Sequence, residues 1–177
     1  MRLDQLQQLV TEWASRNFPN AHAWEPLIGM CEEVGELFHA HLKAHQGIRG
    51  SAAEHHAAKI DSVGDAMIYL AHYCALSKLN LANRFDDCLQ LNSEEQCGAV
   101  SHQILALRIQ VAAGKMADDY CFPMLDSKSK EKSINAFLIA LVKYCQSQEI
   151  ELCHAVETTW AQVSKRDWQK NKDNGNV

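Results

Sequence analysis

The sequence predicts an all-α protein. Three observations carry that prediction. Apolar residues recur at spacings of three and four, alternating Val/Ile/Thr runs are missing, and only three prolines and eight glycines interrupt 177 residues. That length suits one domain, or two small halves sharing a core.

The elements follow from periodicity and punctuation. A first helix is predicted from about Leu3 to Arg16, with Leu6, Leu9, Val10 and Trp13 on one face. Asn17-Phe18-Pro19-Asn20 breaks it. A second helix covers about Ala23 to His45. Gln46 to Gly50 is a loop, and Ser51 is an N-cap for a third helix reaching about Leu79. A short helix is expected near Ala82 to Leu89, with a midpoint turn at Leu91-Asn92-Ser93. Further helices are expected near Cys97 to Ala117, Glu131 to Gln148 and Glu151 to Asn171, with Asp126 to Lys130 as a polar loop. The residues from Lys172 onward read as a flexible tail.

The two halves share a rhythm. DSVGDAMIYLAHYC ends at Cys74 and KSINAFLIALVKYC ends at Cys145, 71 positions later. At that spacing Asp61 meets Lys132 and Asp65 meets Ala136. Glu33 and Glu36 fall near Gln103 and Ala106. The apolar frame recurs while the acids do not, as an internal duplication with a degenerate second half would give. The expected division is 1–91 for the acidic half, 92–171 for the scaffold half and 172–177 for the tail.

Composition narrows the function. A net charge of −5, from 17 basic and 22 acidic residues, argues against a broad basic surface for nucleic acid. No apolar stretch approaches the roughly 18 residues of a membrane span, and the N-terminus lacks a signal-peptide pattern. Seven cysteines, an odd count without a CxxC pair, sit mostly in helix-like apolar patterns. These features point to a reducing cytoplasm.

The acids are the chemical signal. CEEVGELFH, residues 31–39, places Glu32, Glu33 and Glu36 within five positions. Side chains three and four apart share a helix face, so Glu33 aligns with Glu36, Glu32 with Glu36, and Asp61 with Asp65. If the two helices pack antiparallel, the carboxylates converge and repel unless a cation neutralises them. A hard cation such as Mg²⁺ takes such oxygen ligands. Gly35 and Gly64 lie mid-helix, where glycine costs about 1 kcal/mol relative to alanine. Both therefore point to close helix approach or room for a ligand.

Three segments carry a family resemblance: Glu32 to Leu37 (EEVGEL), the loop from Lys43 to Gly50 (KAHQGIRG), and Asp61 to Leu70 (DSVGDAMIYL). Together they resemble the MazG-like nucleoside triphosphate pyrophosphohydrolases of the all-α NTP pyrophosphatase superfamily. The likeness covers roughly residues 1 to 90, and the ending from Trp160 to Trp168 is similar to the tail of some members. The resemblance implies a helical bundle that binds Mg²⁺, with Mn²⁺ as a substitute, and hydrolyses an NTP or dNTP to the monophosphate and pyrophosphate. By position it implies Glu33, Glu36 and Asp65 as metal ligands. Many members have Glu where this chain has Ser62; Asp61, one position earlier, is the acid available to replace it. Glu32 is a candidate for a second metal or for orienting the attacking water, and a carboxylate not saturated by metal, Glu32 or Glu33, is the candidate general base.

Lys43, Arg49 and Lys59 lie near the acidic helices in sequence and are candidate phosphate contacts, with ordinary surface charge as the alternative. Trp24 and Trp13 are candidates for stacking on a base, with core packing favoured for Trp13. Lys165, Arg166 and Lys170 read as a solvated basic helix end, with phosphate contact as the alternative. The expected partner is a nucleoside triphosphate, with no nucleic acid and no membrane, and the expected assembly is a homodimer.

Two other readings stay open. Glu36–His39 and Glu151–His154 are ExxH motifs, the pattern of a di-iron carboxylate bundle, though the helix near 97–117 supplies no Glu. A helical binding module without activity is the second. His55, His56 and His72 lack zinc-like spacing with cysteine and read as surface or core polar groups.

Overall fold

The computed structural model describes residues 3–85, 100–122 and 127–176, and among them every regular element is helical. Six helices run in order: α1 (Leu3–Asn17), α2 (Trp24–Gln46), α3 (Ala52–Leu76), α4 (His102–Cys121), α5 (Ser127–Ser147) and α6 (Leu152–Val163). Residues 81–85 add a further helical stretch. The expected turn at residues 91–93 and the helix start at Cys97 lie outside the described residues. None of the described helices is long and apolar enough to cross a membrane.

The first hairpin is built by local signals. Pro26 stands in the first turn of α2, where its missing N–H leaves no helical bond unmade. The helix ends at Gly47, whose φ of 63° lets its N–H reach the Ala44 carbonyl at 3.2 Å, while Ile48 N donates to Lys43 O at 3.2 Å. Four residues later Ser51 opens α3 with a full capping box. Its Oγ accepts from Glu54 N at 3.2 Å, and Glu54 Oε2 accepts from Ser51 N at 2.7 Å. So short a connection forces the helices antiparallel, and they pack along their length.

A second hairpin, α4 with α5, packs the same way. The buried positions of α3 and α5 correspond at the 71-residue spacing: Val63, Ala66, Met67, Leu70, Tyr73 and Cys74 against Ile134, Phe137, Leu138, Leu141, Tyr144 and Cys145. The turns that follow match as well. Lys78 (φ 58°) and Glu149 (φ 56°) both adopt the left-handed conformation. Leu79 N donates to Cys74 O at 2.8 Å and Ile150 N to Cys145 O at 2.9 Å. Asn80 then caps through Asn83 N at 2.9 Å, and Glu151 caps α6 through Cys153 N and His154 N at 3.0 and 2.6 Å. The correspondence thus extends from side-chain burial to backbone conformation.

The hairpins share one apolar core, with α2 against α4, α3 against α6, and α1 laid over α3. Polar contacts across the halves include His41 Nδ1 with Tyr144 Oη at 3.0 Å and Lys59 Nζ donating to Gln148 Oε1 at 2.8 Å. On α1, Leu6, Val10, Trp13 and Ala14 are buried; Leu9 faces outward, contrary to the expected apolar face, because the stripe is too narrow to include it.

Several boundaries differ from expectation: α3 stops at Leu76 rather than about Leu79, and α4 runs from His102 to Cys121 rather than ending near Ala117, with Val100 and Ser101 outside the helix. The last helix stops at Val163 rather than near Asn171. The segment beyond it folds back on α1: Trp168 N donates to Asn17 Oδ1 at 2.7 Å, and Trp13 Nε1 donates to the Arg166 carbonyl at 3.0 Å. Residues 172–176, expected to be a flexible tail, continue in turns, with Asp167 N donating to Gly175 O at 2.6 Å. These tertiary hydrogen bonds have no local sequence signature. The polar run from Ser127 to Lys130 is the first turn of α5 rather than a loop, while Asp126 lies outside the described residues.

Candidate functional site

The antiparallel hairpin brings the acids of α2 and α3 together. Glu33 is half-buried, and its carboxyl is pushed up to about 8, first by burial and then by Asp65, Glu36, Glu32 and Asp61 around it. Asp65 is raised to about 6, again first by burial, then by Asp61 and Glu36, with the Arg166 cation opposing. None of the five carboxylates makes a hydrogen bond or salt bridge among the described residues. Like charges held this close without a cation resist ionisation.

Two clefts meet at these acids. The first is a cavity of about 330 Å³, walled by Trp13, Phe18, Tyr69 and Trp168, with Arg166, Glu32 and Asp65 at its polar edge. The second, wider and polar, is lined by Glu32, Gly35, Glu36, His39, Arg49 and Asp61 among others. Glu32 belongs to both.

The mid-helix glycines have separate reasons. A Cβ on Gly64 would collide with the Thr159 side chain and stand 2.8 Å from the Ala155 carbonyl oxygen, so this glycine lets α6 lie close on α3. At Gly35 nothing stands within 4 Å, so its bare backbone leaves the polar cleft open. A third, Gly29, makes room for the Tyr69 ring that walls the aromatic cavity.

The substrate-binding candidates divide. Arg49, with a φ of 61°, lines the polar cleft beside Glu32, Glu36 and Asp61. Lys59 does not reach it: the side chain is buried on the far side of α3 and spent on Gln148. Lys43 donates to Gln46 at 3.0 Å on its own helix. Trp24, 46% exposed, stands outside both clefts. Arg166, expected at a solvated helix end, instead lines the cavity with its guanidinium 5.9 Å from the Trp168 ring centre. Ser62 is buried, while Asp61 beside it is exposed to the polar cleft.

Phe18 and Tyr69 line the cavity without having been named as site candidates, and His72, read from the sequence as a surface or core polar group, lines it too. Tyr69 was within reach, since it lies one turn beyond Asp65. Phe18 reads only as part of a helix break, and its placement depends on the docking of α1.

The di-iron pattern does not assemble. Glu151 spends both carboxylate oxygens capping α6, and His154 is exposed one turn further on. His55 is buried and bonded to the Ile48 carbonyl at 3.1 Å, which is a structural role in the loop. The five described cysteines are free.

The donor set of the α2–α3 cluster consists of carboxylate oxygens, which suits a hard divalent cation. As the side chains stand, no three acidic, histidine or cysteine groups among the described residues are gathered closely enough to hold a metal. No family model, no curated protein and no solved structure matches the chain.

Proposed function

We propose that the protein is a Mg²⁺-dependent nucleoside triphosphate pyrophosphohydrolase, releasing a nucleoside monophosphate and pyrophosphate. One observation carries the reading. Five carboxylates without a hydrogen bond or salt bridge among the described residues gather on one hairpin, and four of them, Glu32, Glu36, Asp61 and Asp65, line an aromatic cavity or the polar cleft beside it. A triphosphate nucleotide has the matching halves, a flat base and a charged chain.

In this reading Glu33, Glu36, Asp61 and Asp65 hold the cation, with Asp61 standing in for the acid absent at Ser62. When bound, Mg²⁺ supplies neutralisation of the triphosphate charge and activation of water. Mn²⁺ has the same preference for oxygen donors. Glu32, exposed and facing both clefts, takes the proton from the attacking water. Arg49 meets the phosphates from the polar side. Arg166 closes the polar edge of the cavity near Asp65. Trp13, Phe18, Tyr69 and Trp168 offer the base an apolar slot that excludes water. Deprotonation of Glu33 and Asp65 accompanies cation binding, so affinity rises with pH.

The matching buried positions and turns support an internal duplication, MazG-like in each half, with the acidic site retained in the first. The free cysteines fit a reducing compartment such as the cytoplasm.

The test is pyrophosphate release from a panel of NTPs and dNTPs, with Mg²⁺ and with chelator, for wild type and Glu36→Gln. Release that requires Mg²⁺ and is lost in the variant is expected. A folded wild type that releases none from any nucleotide overturns the reading and leaves a binding module.

A further inference from the structure

The aromatic cavity has two polar ends, and the proposed chemistry uses one of them. On α2, Glu25, Gly29 and Glu32 follow at spacings of four and three; on α3, Asp65, Tyr69 and His72 do the same. All six line the cavity. Residues so spaced share a helix face. The two helices are antiparallel, and a Cβ on Gly29 would run into the Tyr69 ring, which fixes their register. Glu32 therefore stands level with Asp65, and Glu25 with His72. Seven residues of helix separate the two levels, about 10 Å. Between them stand the aromatic walls of the cavity.

The end away from the acids is short of partners. Glu25 accepts a hydrogen bond at Oε1 from His22 N at 2.8 Å, and its second oxygen has none among the described residues. Half-buried His72 has no hydrogen bond or ion pair among the described residues. Burial lowers the His72 pKa, against the pull of Glu25, so near pH 7 the ring is neutral, with one N–H and one lone pair. Carboxylate and ring thus present an acceptor and a donor side by side. A few convergent polar groups in an apolar pocket are what orient a small ligand.

We infer that Glu25 and His72 read the edge of the nucleotide base, and that the base carries an amino group beside a ring-nitrogen acceptor, as cytosine and adenine do. The inference rests on the pyrophosphohydrolase reading, which sets the phosphates at the acidic end and leaves the base two turns away. The free Glu25 oxygen only accepts, which suits the amino group, while the His72 N–H donates to the ring nitrogen. Uracil, thymine and guanine have a carbonyl oxygen in place of that amino group and an N–H in place of that acceptor. They set acceptor against acceptor at Glu25.

Equilibrium binding to the full chain tests this without hydrolysis. The probes are the α,β-imido analogues of ATP, CTP, GTP and UTP and their 2′-deoxy forms, with Mg²⁺. Adenine and cytosine analogues are expected to bind at least about tenfold more tightly than guanine and uracil ones. Glu25→Gln keeps an oxygen for His22 N and turns an amide donor toward the cavity. It is expected to erase the preference with an unchanged circular dichroism spectrum. His72→Phe, which keeps a ring of similar size, is expected to weaken the adenine and cytosine analogues and leave the others unchanged. Equal affinity for all four bases, or a preference for the keto bases, overturns the inference and leaves the pyrophosphohydrolase reading standing. A preference untouched by Glu25→Gln does the same. A folded chain that binds none of the analogues overturns both.

Discussion

The α2–α3 and α4–α5 hairpins have the same buried frame and opposite outer surfaces. On α3 the positions Asp65, Ile68, Tyr69 and His72 wall the aromatic cavity; on α5 the equivalents Ala136, Ile139, Ala140 and Lys143 wall an open groove. Inside, the matched residues are apolar in both, down to the Tyr-Cys pair in the last turn of each helix. A core tolerates few changes, because every side chain there touches many others. An outer face is free to carry acids in one hairpin and alanines in the other, since solvent accepts either. Fold and candidate chemistry therefore occupy separable sets of positions.

Substitutions in the two hairpins probe that separation, beginning with the largest effect. Glu36→Gln is expected to lower Mg²⁺-dependent pyrophosphate release at least about a hundredfold, the scale on which even outer-sphere partners of a metal matter. Ala136→Ser, at the position equivalent to Asp65, is expected to leave release unchanged. Equal loss from both changes would break the assignment of chemistry to one hairpin.

The glycines sharpen the comparison within α2 and α3. Gly64→Ala is expected to destabilise the fold by about 1–3 kcal/mol in urea unfolding, because the Ala155 backbone cannot move aside cheaply. Gly35→Ala, at an open site, is expected to stabilise it by about 0.5–1 kcal/mol.

Acidity distinguishes the acidic hairpin further. Glu33 and Asp65 have carboxyl groups raised to about 8 and about 6, above their unfolded values near 4. The fold therefore binds protons more tightly than the unfolded chain. Their favourable contribution is complete below about pH 4 and is lost as pH rises through about 6 and about 8. In chelator-treated protein, the part of the urea midpoint's pH dependence due to these groups should decline across that window. Glu33→Gln should flatten the upper part of the decline, and Mg²⁺ should oppose it. An upper decline unchanged in Glu33→Gln would mean that this carboxyl is not strained.

The smallest effects test the matched turns. Asn80→Ala and Glu151→Ala each remove a helix cap and are expected to cost about 0.5–2 kcal/mol. Similar losses would support equivalent turns. Iron bound by wild type and lost with Glu151→Ala would revive the di-iron pattern.

Much of this was readable from residues alone. Ser51 followed by Glu54 marks the start of α3, Gly47 marks the end of α2, and the spacing of Glu33, Glu36, Asp61 and Asp65 places them on facing stripes. These signals are local, acting over one or two turns. What could not be read depends on long-range docking. Arg166 and Trp168 reach the cavity because the chain after Val163 turns back onto Asn17, some 150 positions earlier. Lys59 looked like a phosphate contact by proximity in sequence, yet the rotation of α3 sends it toward Gln148.

The sequence by itself determined the helices, most of their ends, the shared apolar frame of the two halves and the pairing of acids along each helix, because hydrophobic period and capping chemistry are written within a few residues. Only the tertiary structure decided how deeply Glu33 is buried, which aromatic rings wall the cavity and which cations face it. Those outcomes depend on helix rotation and on the folding back of the C-terminal segment, and both are set by the simultaneous packing of the whole core.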